Sequence, residues 1–254
     1  MMTPATLTNQ APSMANFVEL WVYLSATPLF GLTATLVVYL LAQAAYTAVN
    51  HAPWANPVFW TVTAIASVLL LTDVPYPTYF AGAQFIHFLL GPAVVALAWP
   101  LWQRRADLMR RWGRLLLAAL AGGVAASGSA LALGWAVGLP NDVLLSLAPK
   151  SVTAPVAMGI AASIGGIPAL TAVFSVVTGL IGALSGKYLF DGLRIPTDAA
   201  GWTARGFALG TASHGIGAAR AMQVHADAGA YAALALGLQV VLASLLLPLL
   251  MRLI

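Results

Sequence analysis

The sequence predicts an all-α polytopic membrane protein with about eight hydrophobic segments, several of them interrupted or re-entrant. Composition is the first reason: of 254 residues, 61% are hydrophobic and only 7% are charged. Soluble domains carry about 25% charged residues, so water cannot be the main solvent of this chain. The second reason is the length of the charge-free runs, such as 20–72 and 115–141, which exceed the ~20 apolar residues that span a bilayer.

Hydropathy also places the segments along the chain. Residues 1–28 are predicted to form an N-terminal tail with a short interfacial helix, and residues 29–254 a single membrane domain. Because residues 1–16 lack Lys and Arg, they do not resemble a secretory signal peptide, and we expect the first hydrophobic segment to be retained. The eight candidate segments are 29–49, 57–71, 79–102, 115–139, 143–163, 167–190, 206–222 and 229–253.

The basic residues predict the orientation. Five of the eleven Lys and Arg residues fall in a predicted loop at 103–114, which separates two halves of the chain. The positive-inside rule assigns this loop to the cytoplasm, and so small a cluster lacks the broad basic face of a nucleic-acid-binding protein. Segment 143–163 either crosses the membrane or folds back. We favour re-entrance, which returns Lys187, Arg194 and Arg205 to the cytoplasm.

Four stretches place proline, glycine and hydroxyl residues at membrane depth: 88–100, 148–158, 163–168 and 210–217. Proline removes a backbone donor and clashes with the preceding helical turn, and glycine permits a positive φ. A freed backbone group is costly in lipid, so such breaks predict an internal polar site. The residues expected to break the helices are Gly91, Pro92, Pro155, Gly165, Gly166, Gly210, Gly215 and Gly217.

Two of the breaks are similar to each other. Residues 91–98 and 154–161 share a pattern of a small residue, a proline, and then apolar and small residues that end in alanine. Paired interrupted segments in two halves are typical of transporters with inverted repeats. A match this short also arises by chance, so the repeat and the coincidence both stay open.

Lys150 is the only formally charged residue between positions 143 and 186. It follows Pro149 and precedes Ser151 and Thr153, beside a predicted helix start whose free N–H groups attract anions. We therefore predict that Lys150, Ser151 and Thr153 bind an anion. The alternative is that Lys150 extends its ammonium group to the membrane interface.

His214 lies in the glycine-broken stretch together with Thr211 and Ser213. His214 is predicted to bind a carboxylate or to relay a proton, and Thr211 and Ser213 are predicted to bond the hydroxyl or keto oxygen of the bound anion. The alternative is a hydrogen-bonded histidine of the core. Arg220 follows about one and a half helical turns later, where it either caps the anion site or marks the membrane edge.

Other chemistries are not predicted. The chain has no cysteine, and its four separated histidines lack metal-ligand spacing. No Gly-Xaa-Ser-Xaa-Gly motif, phosphate-binding loop or close pair of acids occurs. We therefore expect no enzyme activity, no cofactor and no metal.

Ordered motifs occupy the predicted breaks and their flanks. They are Tyr76-Pro-Thr-Tyr-Phe-Ala-Gly82, Leu89-Leu-Gly-Pro92, Pro149-Lys-Ser-Val-Thr153, Ile164-Gly-Gly166 and Gly210-Thr-Ala-Ser-His-Gly-Ile-Gly217. Their order resembles the LrgB/CidB family, including its YohK-like members, over nearly the whole chain from Leu29 onward. The chain departs from the family pattern at Ala154 and Ala218, where many members carry Thr.

The resemblance implies a multi-pass protein of the bacterial inner membrane, in contact with lipid. A plant plastid relative, similar to this chain in its C-terminal part, exchanges glycolate and glycerate, and some bacterial relatives are linked to pyruvate. The function we predict is a secondary transporter of such small monocarboxylates, in which His214 would sense or carry a proton. The rival is a holin-like or antiholin-like modulator of murein hydrolase export and autolysis. The family also implies a separate small LrgA-like membrane partner, in whose absence the chain would act as a homo-oligomer.

Overall fold

The computed structural model describes residues 28–89, 92, 95–96, 98–103 and 105–251, and every regular element in this part of the chain is helical. The predicted all-α class is therefore confirmed. The predicted tail and interfacial helix at 1–28 lie outside the described residues, apart from Pro28. The elements are α1 (Pro28–Ala48), a 3₁₀ turn (Pro53–Ala55), α2 (Pro57–Leu71), α3 (Tyr76–Phe88), α4 (Ala98–Gln103), α5 (Arg105–Ala136), α6 (Asn141–Leu147), α7 (Ala154–Ile164), α8 (Pro168–Gly192), α9 (Ala199–Val224) and α10 (Ala226–Met251).

Four of the described helices are long and apolar enough to cross a membrane: Leu29–Ala48, Met109–Ala136, Pro168–Gly192 and Ala226–Met251. Eight continuous spans are therefore too many for the described residues. The remaining predicted segments form shorter helices or are divided between two helices, as α6 and α7 divide segment 143–163. Large apolar side chains cover the outside of the helices, which suits a lipid environment and not water.

The Arg-rich segment 103–114 differs from the predicted loop because most of it is the start of α5. Arginine, leucine and methionine are good helix formers, so this segment continues the helix that enters the membrane. Arg105 fixes the start of α5: its Nη1 atom donates to the carbonyl of Trp102 at 2.9 Å, and its guanidinium lies 4.4 Å from the Trp102 ring centroid. Arg104 lies outside the described residues.

The described helices pack as two compact units. The first contains α1, α2 and α3, and α1 approaches α3 closely at Gly31, where a Cβ atom would overlap the carbonyl oxygen of Tyr79. A 2.7 Å hydrogen bond between Thr35 Oγ1 and Tyr79 Oη joins the same two helices. The second unit contains residues 49–56 and all helices from α4 onward, and it holds most of the predicted site residues.

Helix α9 is a hairpin and not one straight rod. A Cβ atom on Gly217 would lie 2.6 Å from the carbonyl oxygen of Leu209, whereas eight residues of continuous helix extend about 12 Å. The rings of Trp202 and His225, from opposite ends of the element, stack in parallel with centroids 4.9 Å apart. The chain therefore reverses its direction within α9.

The reversal occurs at Ser213 and His214, whose φ and ψ angles are not helical. We call these two residues the hairpin tip, residues 199–212 the first arm, and residues 215–224 the second arm. The arms are about 21 Å and 15 Å long at 1.5 Å per residue, too short to cross a hydrocarbon core of about 30 Å. Segment 206–222, predicted as a span, is therefore part of this hairpin.

The first arm packs closely against α10 through two glycines one turn apart. A Cβ atom on Gly206 would overlap the backbone of Ala228, and one on Gly210 would overlap the backbone of Ala232. Both alanines are buried. Spaced small residues let helix backbones approach in a membrane, where packing and hydrogen bonds replace the hydrophobic driving force.

This packing generates a prediction for Gly206→Ala, which forces a methyl group into the Ala228 backbone. We expect the free energy of unfolding to fall by about 2 kcal/mol, the usual cost of overpacking a tight interface. The matched control is Gly237→Ala in α10, where an added Cβ meets no atom within 4 Å. Thermal unfolding of both purified variants in detergent measures the difference, and equal midpoints would contradict the tight interface.

Candidate functional site

The hairpin tip contacts α8 near the centre of that helix. A Cβ atom on Gly182 would overlap Ser213 Oγ, and one on Gly179 would lie 2.8 Å from His214 Nε2. Both glycines lie near the middle of the candidate span formed by α8. Glycine is required here because any side chain would occupy the space of the tip.

Helix α5 approaches the first arm at a similar depth. A Cβ atom on Gly122, at the middle of the α5 span, would lie 2.6 Å from Thr211 Cγ2. The neighbouring Gly123 faces the side-chain amide of Gln239, whose Nε2 atom donates to the carbonyl of Ala119 at 2.6 Å. The polar groups of α5, α8, α9 and α10 thus lie together at the middle of the spanning helices.

His214 is held by one hydrogen bond and by a strained backbone. Its Nε2 atom lies 2.7 Å from the carbonyl oxygen of Ser175, which can only accept, so Nε2 carries the proton and Nδ1 remains for another partner. The residue is 4% exposed. Its φ of 40° with ψ of −135° is unfavourable for any residue with a side chain, by about 1–3 kcal/mol. Surrounding helices must hold this geometry, as is common at functional sites.

Two buried hydroxyl groups beside the tip make no hydrogen bond in the described part of the chain: Ser175 Oγ and Thr211 Oγ1. Hydroxyls elsewhere in the helices donate to the carbonyl four residues earlier, as those of Thr61 and Thr203 do. An unsatisfied buried polar group costs about 1–3 kcal/mol, so such groups are typical of sites that bind a ligand or water. The tip is therefore surrounded by hydrogen-bonding capacity that the helices do not use.

The glycines of stretch 210–217 act differently from the prediction. Gly210, Gly215 and Gly217 were expected to break the helix, but the break itself falls on Ser213 and His214. Gly210 and Gly217 occupy positions where backbones come too close for a Cβ atom, whereas Gly215 has open space around its α-carbon. Two of the glycines thus permit close packing, and non-glycine residues make the turn.

Lys150 lies in the turn that joins α6 to α7. Ser127 Oγ of α5 donates to the carbonyl of Ala148 in this turn at 2.7 Å. Ser127 is about 8 Å along the α5 axis from Gly122, so the turn lies within the depth of the hydrocarbon core. Lys150 is partly buried, and its Nζ atom lies 3.4 Å from Ser151 Oγ.

The predicted break residues around α7 lie at its two ends. Pro155 occupies the first turn, and Thr153 precedes it without using its side chain to cap the helix. Gly165 ends α7 in the left-handed conformation with φ 88°, which only glycine adopts without strain. Gly166 packs against α6: an added Cβ would lie 2.9 Å from Ser146 N.

Helix α8 ties both broken segments together. Near its start, Ile167 N donates to Ser146 Oγ at 2.7 Å and Thr171 Oγ1 donates to the Ser146 carbonyl at 3.1 Å. One turn later, the carbonyl of Ser175 accepts from His214. The Lys150 turn and the hairpin tip share no hydrogen bond among the described residues, and α5, α8 and α10 each contact both broken segments.

Arg220 lies away from the tip, in a cavity of about 190 Å³. The cavity lies between α8, the two arms of α9 and the start of α10, with Lys187, Arg205 and Asp191 in its lining. We call it the cationic cavity. Arg220 Nη2 also donates to the carbonyl of His51 at 3.1 Å. The sequence interpretations of Arg220, as a cap on the anion site or as a marker of the membrane edge, did not anticipate this cavity.

Sequence reasoning treated Lys187 and Arg205 as orientation signals and missed Ser175 altogether. A signal for the α8 face was present, because small and hydroxyl residues recur about every four positions from Thr171 to Gly186. This spacing places them on one side of a helix. No comparable signal connects Lys187 with Arg205, which only the fold brings together.

Of the break predicted at 88–100, Gly91 lies outside the described residues, and Pro92 is described without either of its neighbours. The inverted repeat therefore stays a prediction.

Comparisons with known proteins identify one family model and several relatives. The profile of the LrgB-like family matches residues 35–253. The chain is 36% identical to the uncharacterized protein YxaC of Bacillus subtilis (strain 168) over 220 residues, which are 84% of this chain and 94% of YxaC. It is 34% identical to an uncharacterized protein of Haemophilus influenzae over 207 residues, 79% of this chain and 87% of that protein. No solved structure matches the chain significantly. The chain is a membrane protein that belongs to the LrgB-like family.

Proposed function

We propose that this protein is a secondary transporter of small monocarboxylates such as glycolate, glycerate or pyruvate, coupled to protons, in the bacterial inner membrane. The observation that carries the proposal is the α9 hairpin, in which His214 of the tip lies beside the unused hydroxyls of Ser175 and Thr211 at the middle of the spanning helices. Irregular backbone at this depth is tolerated only where protein or a cavity satisfies it, and transporters use such breaks to bind substrates.

The groups around the tip suit a short hydroxy or keto acid. In our proposal, Ser213 and Thr211 bond its hydroxyl or keto oxygen, and His214 carries the proton. Ser175 adds a hydroxyl that has no partner among the described residues. A proton carried with the anion makes the complex nearly neutral, which lowers the cost of moving it through a medium of low dielectric constant.

Lys150, Ser151 and Thr153 form the second polar group of the proposed route. The turn lies at membrane depth, and Thr153 leaves its hydroxyl unused for capping, so both support an anion-binding role. The free N–H groups at the start of α7 would add a favourable dipole for a carboxylate.

The rival function, modulation of murein hydrolase export, needs assembly and no specific substrate site. Buried hydroxyls and a strained histidine at mid-depth favour the transporter, because a regulator has no evident use for them. Uptake assays also test the need for an LrgA-like partner. If proteoliposomes that contain only the purified chain take up substrate, the chain is sufficient without that partner, alone or as a homo-oligomer.

The first prediction tests Lys150. Lys150→Ala should insert normally but lower the uptake of radiolabelled glycolate or pyruvate into proteoliposomes at least about tenfold, the value of a charged hydrogen bond. Lys150→Arg keeps the charge and is expected to retain part of the uptake. Wild-type rates for Lys150→Ala would leave only the interfacial role for this side chain.

The second prediction separates binding from proton coupling at His214. His214→Gln keeps an N–H donor for the Ser175 carbonyl but cannot exchange a proton. We expect this variant to retain counterflow between internal and external substrate while it loses accumulation driven by a pH gradient.

The control for His214→Gln is His225→Gln. His225 follows the second arm, where it stacks on Trp202 and accepts from Asp227 N, outside the tip. This variant should accumulate substrate as the wild type does. If His214→Gln retained full pH-driven accumulation, proton coupling would belong to another residue.

A further inference from the structure

We propose that the cationic cavity is a binding site for the substrate carboxylate, in which Arg205 receives the anion and Asp191 competes with it. The identity of the anion rests on the proposed function, whereas the existence of the site does not.

The first argument is charge. Among the described residues, the lining contains the cationic side chains of Lys187, Arg205 and Arg220 and the carboxylate of Asp191. Arg205 is 6% exposed, so water screens its charge poorly. Buried charge is costly unless it is paired, so Arg205 needs an anionic partner. A small anion that replaced Asp191 would serve as that partner.

The second argument is the way Arg205 is held. Its guanidinium lies over the rings of Phe190 and Trp202, 5.7 and 5.5 Å from their centroids, and Nη2 donates to the carbonyl of Ile195. These contacts fix the group in place. Nε is buried and makes no hydrogen bond to a described residue, so within this part of the chain Arg205 keeps an unused donor.

The third argument is the exposure of Asp191, the ionic partner of Arg205. Arg205 Nη1 donates to Asp191 Oδ1 at 2.8 Å, but the side chain of Asp191 is 49% exposed against 7% for Arg205. Asp191 can turn toward water at little cost, whereas Arg205 cannot. A carboxylate that enters the cavity can therefore replace Asp191 on a fixed cation.

The fourth argument is the position of the cavity. Its lining extends from Asp191, near the end of α8, to Gly182, beside Ser213 of the hairpin tip. These two ends are about 13 Å apart along α8. An anion held by Arg205 would thus lie in a cavity whose other end adjoins the proposed mid-membrane site.

A structural role for the Arg205–Asp191 pair gives the opposite expectation for Asp191. If the pair only held the loop after α8, removal of either partner would weaken the protein. Under competition, Asp191→Asn removes the rival carboxylate and tightens anion binding, while Arg205→Gln weakens it. A gain of affinity cannot result from misfolding.

The experiment measures equilibrium binding of radiolabelled pyruvate and glycolate to the full chain in nanodiscs. Asp191→Asn should bind about two- to fivefold more tightly, in proportion to the worth of a half-exposed ion pair. Arg205→Gln should bind at least about tenfold more weakly. In the double variant the gain from Asp191→Asn should disappear, because Asp191 acts through Arg205.

Two controls make the same charge changes elsewhere. Arg194→Gln removes an exposed cation that does not line the cavity, and Asp73→Asn removes an exposed carboxylate of the first unit. Asparagine also tolerates the positive φ of 51° at position 73. Both controls should bind as the wild type does.

The outcomes separate this inference from the proposed function. Binding that depends on Arg205, without any uptake by proteoliposomes, would refute the transporter and leave the cavity site standing. Uptake with unchanged binding in both cavity variants would refute the site and leave the transporter. Weaker binding in Asp191→Asn, or no binding of either acid by the wild type, would also overturn the inference.

Discussion

The backbone of a membrane protein must satisfy its own polar groups, and this requirement governs the second unit of the structure. The α9 hairpin reverses near mid-depth, where lipid offers no hydrogen bonds. It can exist only because α8 contacts the tip and α5 packs against the first arm at Thr211. The His214 bond to the Ser175 carbonyl and the glycines facing the tip are consequences of that packing.

Small residues and a few hydrogen bonds do the work that hydrophobic burial does in soluble proteins. Lipid is as apolar as a leucine side chain, so helices gain by close backbone packing and by polar contacts. Gly206 and Gly210 allow close backbone packing against α10. The polar contacts come from Thr171, His214 and Gln239, each of which forms a hydrogen bond to a backbone carbonyl of another helix. The buried face of α8 therefore combines small with polar residues.

The sequence was sufficient for the fold class and for the boundaries of four of the eight predicted segments. Segment 57–71 coincides with α2, and segments 29–49, 167–190 and 229–253 differ from α1, α8 and α10 by a few residues. Long apolar runs have few alternatives in a membrane, which explains this success. Segment 206–222 was misjudged because a cluster of glycines signals a break without indicating the direction in which the chain continues.

The site was predictable only where a residue was unusual for its surroundings. His214 and Lys150 are polar residues in apolar runs, so composition alone singled them out. Ser175 was not detectable, because a serine in a helix normally bonds its own backbone, and only the packed neighbours reveal that this one does not. Arg205 near a predicted membrane edge resembles an ordinary orientation signal, and its burial over Phe190 depends on tertiary structure.

The arrangement of these polar groups bears on how a transporter of this kind would work. The cationic cavity extends along α8 to Gly182, which lies beside Ser213 of the tip, whereas Gly122 of α5 packs closely against Thr211 of the first arm. A pore would need one continuous polar lining, but among the described residues no hydrogen bond joins the tip to the Lys150 turn. In the proposed transporter, passage of substrate from one polar group to the other would therefore involve a shift of helices against the hairpin. Helix interfaces built from small residues and single hydrogen bonds contribute only modest association free energies in a membrane. The free-energy cost of such a shift is therefore compatible with an alternating-access carrier.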